Sequence, residues 1–570
     1  MASEVNKRRH DIVLVFTMAI LAACGLVYEY LMAHFAGRIL GSVEPTIYAM
    51  IGLMIVAMGV GAFSAKWINS IYQSFAWVEL TIGLLGGISI LVMSASVAFV
   101  YLLPQWIQST YGIDFSIELA GGFIETLRLS SKILPYAFGF VIGFFVGMEI
   151  PLIARIRENI HGKHLEHNLG TMYGADYIGA GIGAAIWITV CLKVPVTYAA
   201  VGTAGINVLV GLIFLYIYRH KINHVLPLWI GHGAVALVLF IMAVYGVQWM
   251  SRLNDTLFKD DVVYQVQTPY QNVVITERTI NANAPKITSL YINGRLQFAS
   301  NDERIYHAYL TTPVMLAANR NAHLLIIGGG DGLALRDLLK WNPRSITLID
   351  LDSQLIDLFS GNDLKAPQTV SETLTTINRN AFDDSRVTVI REDAFVEIEN
   401  QIEEIASGAP HYDAIVIDLP DPSHPDLNKL YSSFFYSRIR NILTADGAIG
   451  IQSTSPYHAK EAFQAIGKTL ADAGFLVDQY HANVPSFGEW GWTLGTLTGA
   501  SGLTRIERAQ KTIHDNHLLS KGEILASFIF PSNFYDNIGN IQINHLGSHA
   551  IFQYHQRAWQ QYQGTFYAGE

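Results

Sequence analysis

Asp418 and Asp421 stand three residues apart at the end of the run Asp413-Ala414-Ile415-Val416-Ile417-Asp418-Leu419-Pro420-Asp421-Pro422. The apolar run reads as a fully buried strand, and Pro420 and Pro422 stiffen the turn after it. An acidic loop that caps a helix is the plain alternative. The chemical one is a carboxylate pair that binds an ammonium group and deprotonates it. An alkylammonium has a pKa of about 10, by the lysine reference value, so it must lose a proton before its nitrogen can attack carbon. One carboxylate within hydrogen-bond reach accepts that proton, and a second holds a distal ammonium. Asp331 lies in another segment of this kind, Gly328-Gly329-Gly330-Asp331-Gly332, which follows the apolar run Leu324–Ile327. Glycines there let a ligand approach the backbone. Asp350, about 20 residues on and at the end of the next strand, suits ribose hydroxyls. A dinucleotide, S-adenosylmethionine or a relative of the latter fits such a loop. Asp331 would repel a pyrophosphate and attract an amine, which favours a cationic sulfonium.

These residues need a sheet whose carboxyl edge gathers strand ends. Strands at 324–327, 345–351, 387–391, 413–418 and 447–452 alternate with helical stretches such as 335–340. That order predicts a doubly wound, Rossmann-like α/β sheet of the methyltransferase type, with its ligand at that edge. Ahead of it, Val273–Thr276 and Ser289–Ile292 read as strands, with Asn293-Gly294 as a hairpin turn. Residues 251–301 therefore form a small antiparallel β region. Residues 302–500 form the Rossmann-like domain, opening on a helix over 302–318. Residues 501–570 are expected to pack on it as a C-terminal extension without chemistry of its own. Phe434, Phe435 and Tyr436 are expected in the core, and His424 in a loop.

The charge is unevenly spread. Residues 1–250 hold 13 Lys/Arg and 12 Asp/Glu, whereas residues 251–570 hold 24 and 35. An acidic second half repels nucleic acid and suits cationic ligands. At 51% hydrophobic and 15% charged residues, the chain as a whole is too apolar for an ordinary soluble enzyme. Seven segments, at about 12–35, 46–65, 77–102, 133–155, 171–193, 196–218 and 226–250, are long enough to span a bilayer. Residues 1–250 thus read as an α-helical multi-pass membrane domain. Its first segment is too long for a cleaved signal and lacks a cleavage site. Acids inside a membrane are costly and mark function by default. Of Glu29, Glu79, Glu149 and Asp176, the first is unassigned and Glu79 is expected to face the interface. Glu149 and Asp176 are the functional candidates. Gly179, Gly181 and Gly183 offer close helix packing. Cys24 and Cys191, in apolar stretches, make neither a zinc site nor a disulfide framework. Lys7, Arg8, Arg9, Arg155, Arg157, Lys163, Arg219 and Lys221 mark cytoplasmic ends. Seven spans would then put residues 251–570 outside, against the cytoplasmic placement that their chemistry calls for. One segment would have to stay uncrossed, or 104–131 re-enter.

The motifs across residues 262–500 resemble, in order and spacing, those of the spermidine synthases, the polyamine aminopropyltransferases. They are Tyr270-Gln271-Asn272-Val273, Asn293-Gly294-Arg295-Leu296-Gln297, Asp302-Glu303-Arg304-Ile305-Tyr306-His307, the glycine loop, Asp350-Leu351-Asp352, Asp418-Leu419-Pro420-Asp421-Pro422 and Leu430-Tyr431-Ser432. With spans in front, the whole chain is similar to the membrane-fused bacterial branch, its helical half in layout only. The resemblance implies that Gln271 contacts the methylthioadenosine part of decarboxylated S-adenosylmethionine. It implies that Asp350 holds the ribose, Asp393 reads the adenine amine, and Pro425 lines the nucleoside. Gly328 and Ala394 belong to the same binding region. Tyr306, His307 and Asp331 would hold amine groups, Asp418 would be the general base, and Asp421 a diamine contact. Three positions depart from the family. Asp350 stands where Glu is usual, Ala394 where Gly is usual, and Phe487 where spermidine synthases tend to have Tyr. The segment Phe487-Gly488-Glu489-Trp490-Gly491-Trp492 instead resembles thermospermine-type relatives, which leaves the amine open. Glu489 is inferred here as a further amine anchor.

The reaction so implied passes an aminopropyl group from decarboxylated S-adenosylmethionine, as co-substrate, to a diamine. Putrescine is the expected acceptor, giving spermidine and methylthioadenosine. A neutral thioether leaving group needs no general acid, metal or permanently bound cofactor, and in-line alignment supplies much of the rate. Two readings compete. One is a membrane-bound methyltransferase using intact S-adenosylmethionine. The other is a polyamine transporter with a sensor domain, its cation path lined by Glu29, Glu149 and Asp176. The expected setting is a bacterial inner membrane, with a homo-oligomer joined through residues 262–300 and no nucleic-acid partner.

Overall fold

A computed structural model describes residues 2–40, 43–111, 122–161, 168–255, 258, 260–281, 284–511 and 518–567. The chain divides into two compact units, Met1–Lys259 and Asp260–Glu570.

Among the described residues, the first unit contains seven helices long and apolar enough to cross a membrane. They are α1 (Ala2–Leu40), α2 (Val43–Ser64), α3 (Ile71–Tyr111), α4 (Gly122–His161), α5 (Asn168–Thr189), α6 (Val196–Tyr218) and α7 (Val225–Asp255). Gly179 and Gly183, one turn apart on α5, press against α1. A Cβ there would fall 2.1 Å from the Ala19 carbonyl oxygen and 2.5 Å from that of Ala23, so larger residues would hold the backbones apart. Gly181, between them, faces open space. Of the segment 104–131, residues 104–111 continue α3 and 122–131 lie in α4. Residues 112–121 lie outside the described residues. Glu79 does not face an interface. It is fully buried, two turns inside α3, and accepts a 3.0 Å hydrogen bond from Asn207 Nδ2.

The second unit opens with β1 (Asp261–Gln267), β2 (Asn272–Arg278), β3 (Ile287–Ile292) and β4 (Arg295–Ala299), an antiparallel sheet in chain order. Asn293 and Gly294, both at positive φ, make the expected turn. There follow α8 (Glu303–Ala317), β5 (His323–Gly328), α9 (Leu333–Leu339), β6 (Ser345–Ile349), α10 (Ser353–Phe359), α11 (Gln368–Ile377), β7 (Val387–Ile390), α12 (Ala394–Ala406) and β8 (Tyr412–Asp418). The chain ends through α13 (Pro425–Asn428), α14 (Ser433–Ile442), β9 (Leu443–Gln452), α15 (Lys460–Asp472), β10 (Leu476–Val484), β11 (Gly488–Thr496), α16 (Gly502–Arg508), α17 (Lys521–Ala526) and α18 (Ala550–Tyr567).

Seven strands form one sheet in the order β10-β11-β9-β8-β5-β6-β7. Five are parallel, and the hairpin β10–β11 adds an antiparallel edge. Alternate residues of β5 and β8 enter separate cores on the two faces, Leu325, Ile327, Ile415 and Ile417 on one and Leu324, Ile326, Ala414 and Val416 on the other. That two-sided burial is why these strands read as unbroken apolar runs. Chain order reverses direction between β5 and β8, which opens a crevice at their carboxyl ends. The C-terminal extension shares the core, through Ile551 and Tyr554 of α18. Asn544 Nδ2 ties it down by donating to the Asn428 and Tyr431 carbonyls, each at 3.1 Å. Phe435 and Tyr436 are buried, but Phe434 is not.

Candidate active site

Gly328 ends β5 in register with Asp418 at the end of β8. Its φ is 81°, and a Cβ would lie 2.2 Å from the Asp418 carbonyl oxygen. Only glycine fits both constraints. The loop that follows is fastened to β6. Gly330 N donates to Asp350 Oδ2 at 3.0 Å and Asp352 N to Oδ1 at 2.8 Å. Burial pushes Asp350 up to about 7, although those two N–H groups favour its ionised form. The shorter side chain at this position is thus engaged with backbone at the crevice floor.

Gln271 reaches the same edge through Asp352, which motif reading did not single out. Asp352 Oδ1 accepts from the Gln354 and Leu355 N–H groups and caps α10. Its Oδ2 accepts from Gln271 Nε2 and Thr268 Oγ1, each at 2.8 Å. An Asp just before a helix is the sequence signal for that cap. Asp393 caps α12 through Phe395 N at 2.9 Å, and its Oδ2 accepts from Lys429 Nζ at 2.6 Å. Ala394 is the first residue of α12 and is not among the described non-glycine residues at positive φ, so Ala costs nothing there. Pro425 opens α13, where a missing N–H is harmless. His424 caps that helix, its Nδ1 accepting from Asp426 N at 3.2 Å.

The amine-binding candidates meet beside Asp418. Tyr306 and His307, adjacent on α8, stand edge to face with ring centroids 4.9 Å apart. Tyr306 Oη donates to Asp418 Oδ1 at 2.8 Å, and His307 Nε2 lies 3.9 Å from Oδ2. The imidazole is fixed from behind, with Nδ1 3.0 Å from Glu303 Oε2. Glu303 in turn accepts two bonds, at 2.7 and 2.9 Å, from Arg336 on α9. Burial opposes the charge on each of these groups. Even so, His307 and Arg336 pull Glu303 down to about 2, and Glu303, Asp331 and Asp418 lift His307 to about 9. Burial raises Asp331, against the pull of His307. Burial and Asp331 together push Asp418 up to about 6, while His307 and the Tyr306 hydroxyl hold it down. One ligand atom each of His307, Asp331 and Asp418 lie within 4.8 Å of one another. Two carboxyls against one imidazolium suit an incoming ammonium.

Asp421 is held apart from this trio. Gln452 Nε2, at the end of β9, donates to its Oδ1 at 3.1 Å. His555 Nε2, on α18, lies 3.2 Å from its Oδ2. Burial would raise Asp421, but His555, then Arg295 and Gln452, keep it below the usual carboxylate range. The tail expected to carry no chemistry therefore supplies the imidazole partner of a site carboxylate. No local pattern around His555 announces this.

Glu489 is not brought to the site. On β11, Trp492 and Leu494 join the core packed against α8, whereas Gly491 packs on Phe463 of α15. Glu489 shares the parity of Gly491 and pairs with His481 on β10. It lies on the face opposite Tyr306, because side chains alternate along a strand. Phe487 does reach the site, with its ring 5.9 Å from Tyr306 and 5.1 Å from Trp490. It presents a bare phenyl edge. Glu149 and Asp176 belong to the other unit, Glu149 buried on α4 and Asp176 half-buried on α5.

Comparison with known proteins gives four matches. The spermine/spermidine synthase domain matches residues 303–505. The polyamine aminopropyltransferase of Shewanella oneidensis is 48% identical over 554 residues, 97% of this chain and 96% of that protein. That of Oceanobacillus iheyensis is 28% identical over 562 residues, 97% of this chain and 99% of that protein. Both matches run through the helical half. Among solved structures, spermidine synthase from Thermotoga maritima aligns with 49% of this chain and 88% of its own, at 20% identity and a TM-score of 0.38.

Proposed function

The chain belongs to the polyamine aminopropyltransferase family, and on that premise we propose that it moves the aminopropyl group of decarboxylated S-adenosylmethionine to a diamine. The acceptor we assign is putrescine, with spermidine and methylthioadenosine as products. The observation that carries this reading is the Asp418 carboxylate, bonded by Tyr306, flanked by His307 and Asp331, and pushed up to about 6. A base whose pKa lies near the working pH combines the right protonation state with useful proton affinity.

Asp421 and Asp331 hold the acceptor's ammonium groups. Asp418 takes a proton from the attacking nitrogen. The freed lone pair attacks the methylene carbon beside the sulfonium, and the C–S bonding pair leaves on sulfur as neutral methylthioadenosine. The positive charge ends on the new secondary amine, and Asp418 returns its proton to water. Gln271, Asp350, Asp393 and Pro425 hold the nucleoside. The Phe487 ring offers the acceptor's methylene chain an apolar wall where a hydroxyl is usual.

We also assign a homo-oligomer joined through residues 262–300 and a cytoplasmic catalytic unit. With seven crossings, that side requires the arginine-rich helix ends to face outward, against the usual bias. Labelling of Leu364→Cys, at a fully exposed position, by a membrane-impermeant thiol reagent in intact cells decides the side. No labelling supports the assignment. The activity is tested by mass spectrometry of products from the full-length protein. Putrescine, cadaverine, agmatine and spermidine are each offered with decarboxylated or intact S-adenosylmethionine. Methylthioadenosine with a new polyamine supports the reading and names the acceptor. S-adenosylhomocysteine from the intact nucleoside would move the protein to the methyltransferases.

A further inference from the structure

The helical unit contains a buried polar cluster that aminopropyl transfer does not use. Glu79 on α3, Glu149 on α4, Asn207 on α6 and His232 on α7 are each at most 1% exposed. Asn207 Nδ2 holds one Glu79 oxygen at 3.0 Å. Glu149 lies close enough to Glu79 for their carboxyls to interact. His232 Nδ1 lies 2.9 Å from the Leu228 carbonyl oxygen, which can only accept, so Nδ1 carries the proton. Nε2 is therefore a bare lone pair. It points at the Glu79 side of α6, since a Cβ on Gly211 would meet His232 Nε2 at 2.3 Å and Glu79 Cβ at 3.3 Å.

Five atoms of this cluster have no hydrogen-bond partner among the described residues: Glu79 Oε1, both Glu149 oxygens, Asn207 Oδ1 and His232 Nε2. Two carboxyls in contact share a proton, which still leaves two of these carboxyl oxygens, Asn207 Oδ1 and His232 Nε2 as acceptors. Besides that shared proton, the groups nearby able to donate are the Tyr28 hydroxyl and the weakly donating Cys24 thiol, both on α1. Buried acceptors without donors are expensive and call for a partner. A primary ammonium has three N–H donors and no acceptor, so it suits this imbalance. A single metal ion suits it less. The described residues bring three His, Cys, Asp or Glu ligand atoms within 4.8 Å only at His307, Asp331 and Asp418, in the other unit. Acceptors spread over four helices match a cation whose donors are spaced along a chain.

We propose that the helical unit holds a second amine site, formed by Glu79, Glu149, Asn207 and His232, for a linear polyamine cation. The choice of polyamine rests on the proposed function. The site itself rests on the unpartnered acceptors.

The test is equilibrium dialysis of radiolabelled spermidine against full-length protein in lipid nanodiscs, without nucleoside. An Asp421→Asn background removes one of the two carboxylates that hold ammonium at the catalytic site. Binding is expected to persist in that background and to weaken at least about 10-fold on adding Glu149→Gln, the loss of a charge-assisted contact. His232→Ala is expected to weaken it in the same direction. Gel filtration and circular dichroism matching the parent check that each variant folds. Loss of all binding with Asp421→Asn alone would overturn the inference. So would unchanged binding in both Glu149→Gln and His232→Ala, or sodium or calcium binding there in place of spermidine. Glu149-dependent spermidine binding by a chain that transfers no aminopropyl group would sink the proposed function and leave this site standing.

Discussion

Replacing His555 by Ala removes the imidazole that holds a buried carboxylate below its usual range. The His555 side chain is 1% exposed and that of Asp421 14%. Leaving a buried polar group without its partner costs about 1–3 kcal/mol. The Gln452 bond to Oδ1 and the attraction of Arg295 remain, which sets the expectation in the middle of that range, about 2 kcal/mol. The sign follows from the depressed pKa of Asp421. Its stabilising contribution is present above the unfolded value of about 3.9 and is lost as pH falls through the depressed folded value. Without His555 burial dominates, the pKa rises, and Asp421 protonates at higher pH. An acceptor ammonium then meets a neutral carboxyl. Each unit by which that pKa passes the assay pH weakens acceptor binding about 10-fold. Steady-state release of methylthioadenosine against acceptor concentration, from pH 5 to 8, reads the effect. A loss of about 2 kcal/mol is about 1.5 pKa units, which keeps Asp421 ionised at pH 7 but brings its titration to the acid end of that range. The KM for acceptor is expected to match the parent at pH 7 and to rise about 3-fold above it at pH 5, with kcat little changed from the parent at the same pH. His555→Gln, which keeps a donor, is expected to restore part of the loss. An unchanged KM in His555→Ala at pH 5 would refute the pairing of the tail with Asp421 and the acceptor role of Asp421 together.

The acidic limb of kcat/KM is expected near pH 6, because Asp418 gains its proton as pH falls through that value and can no longer act as base. Tyr306→Phe deletes a bond that favours the carboxylate, so its pH profile is expected to move upward. Asp350→Asn leaves one of two backbone N–H groups without an acceptor. Calorimetry with methylthioadenosine is expected to show about 10-fold weaker binding, with the KM for acceptor unmoved. Gly328→Ala drives a Cβ to 2.2 Å from the Asp418 carbonyl oxygen at φ 81°, and both the thermal unfolding midpoint and turnover are expected to collapse.

The parallel strands were legible because burial on both faces turns them into apolar runs. The glycine loop was legible because its position between strand and helix has one geometric use. The hairpin of β10 and β11 was not. Its strands mix Gly, Asn and His with aromatics and show no clear period. Without that strand the parity of Glu489 could not be seen, and proximity to Trp490 and Trp492 in sequence stood in for proximity in space. Glu79 reads as interfacial from an apolar run that starts at residue 77, whereas α3 starts at Ile71 and buries it against Asn207. His555 lies 134 residues from the carboxylate it touches. Only the docking of α18, through Asn544 and the shared core, brings the two together. Contacts of that kind leave no local mark in composition or spacing.

The central claim is that Asp418 removes the acceptor's proton in aminopropyl transfer. Single-turnover release of methylthioadenosine by Asp418→Asn, with decarboxylated S-adenosylmethionine and putrescine both saturating, tests it most directly. The account predicts a rate about 10²- to 10⁴-fold below that of the parent protein, with methylthioadenosine affinity unchanged. An Asp418→Asn protein that releases methylthioadenosine at the parental rate would contradict it.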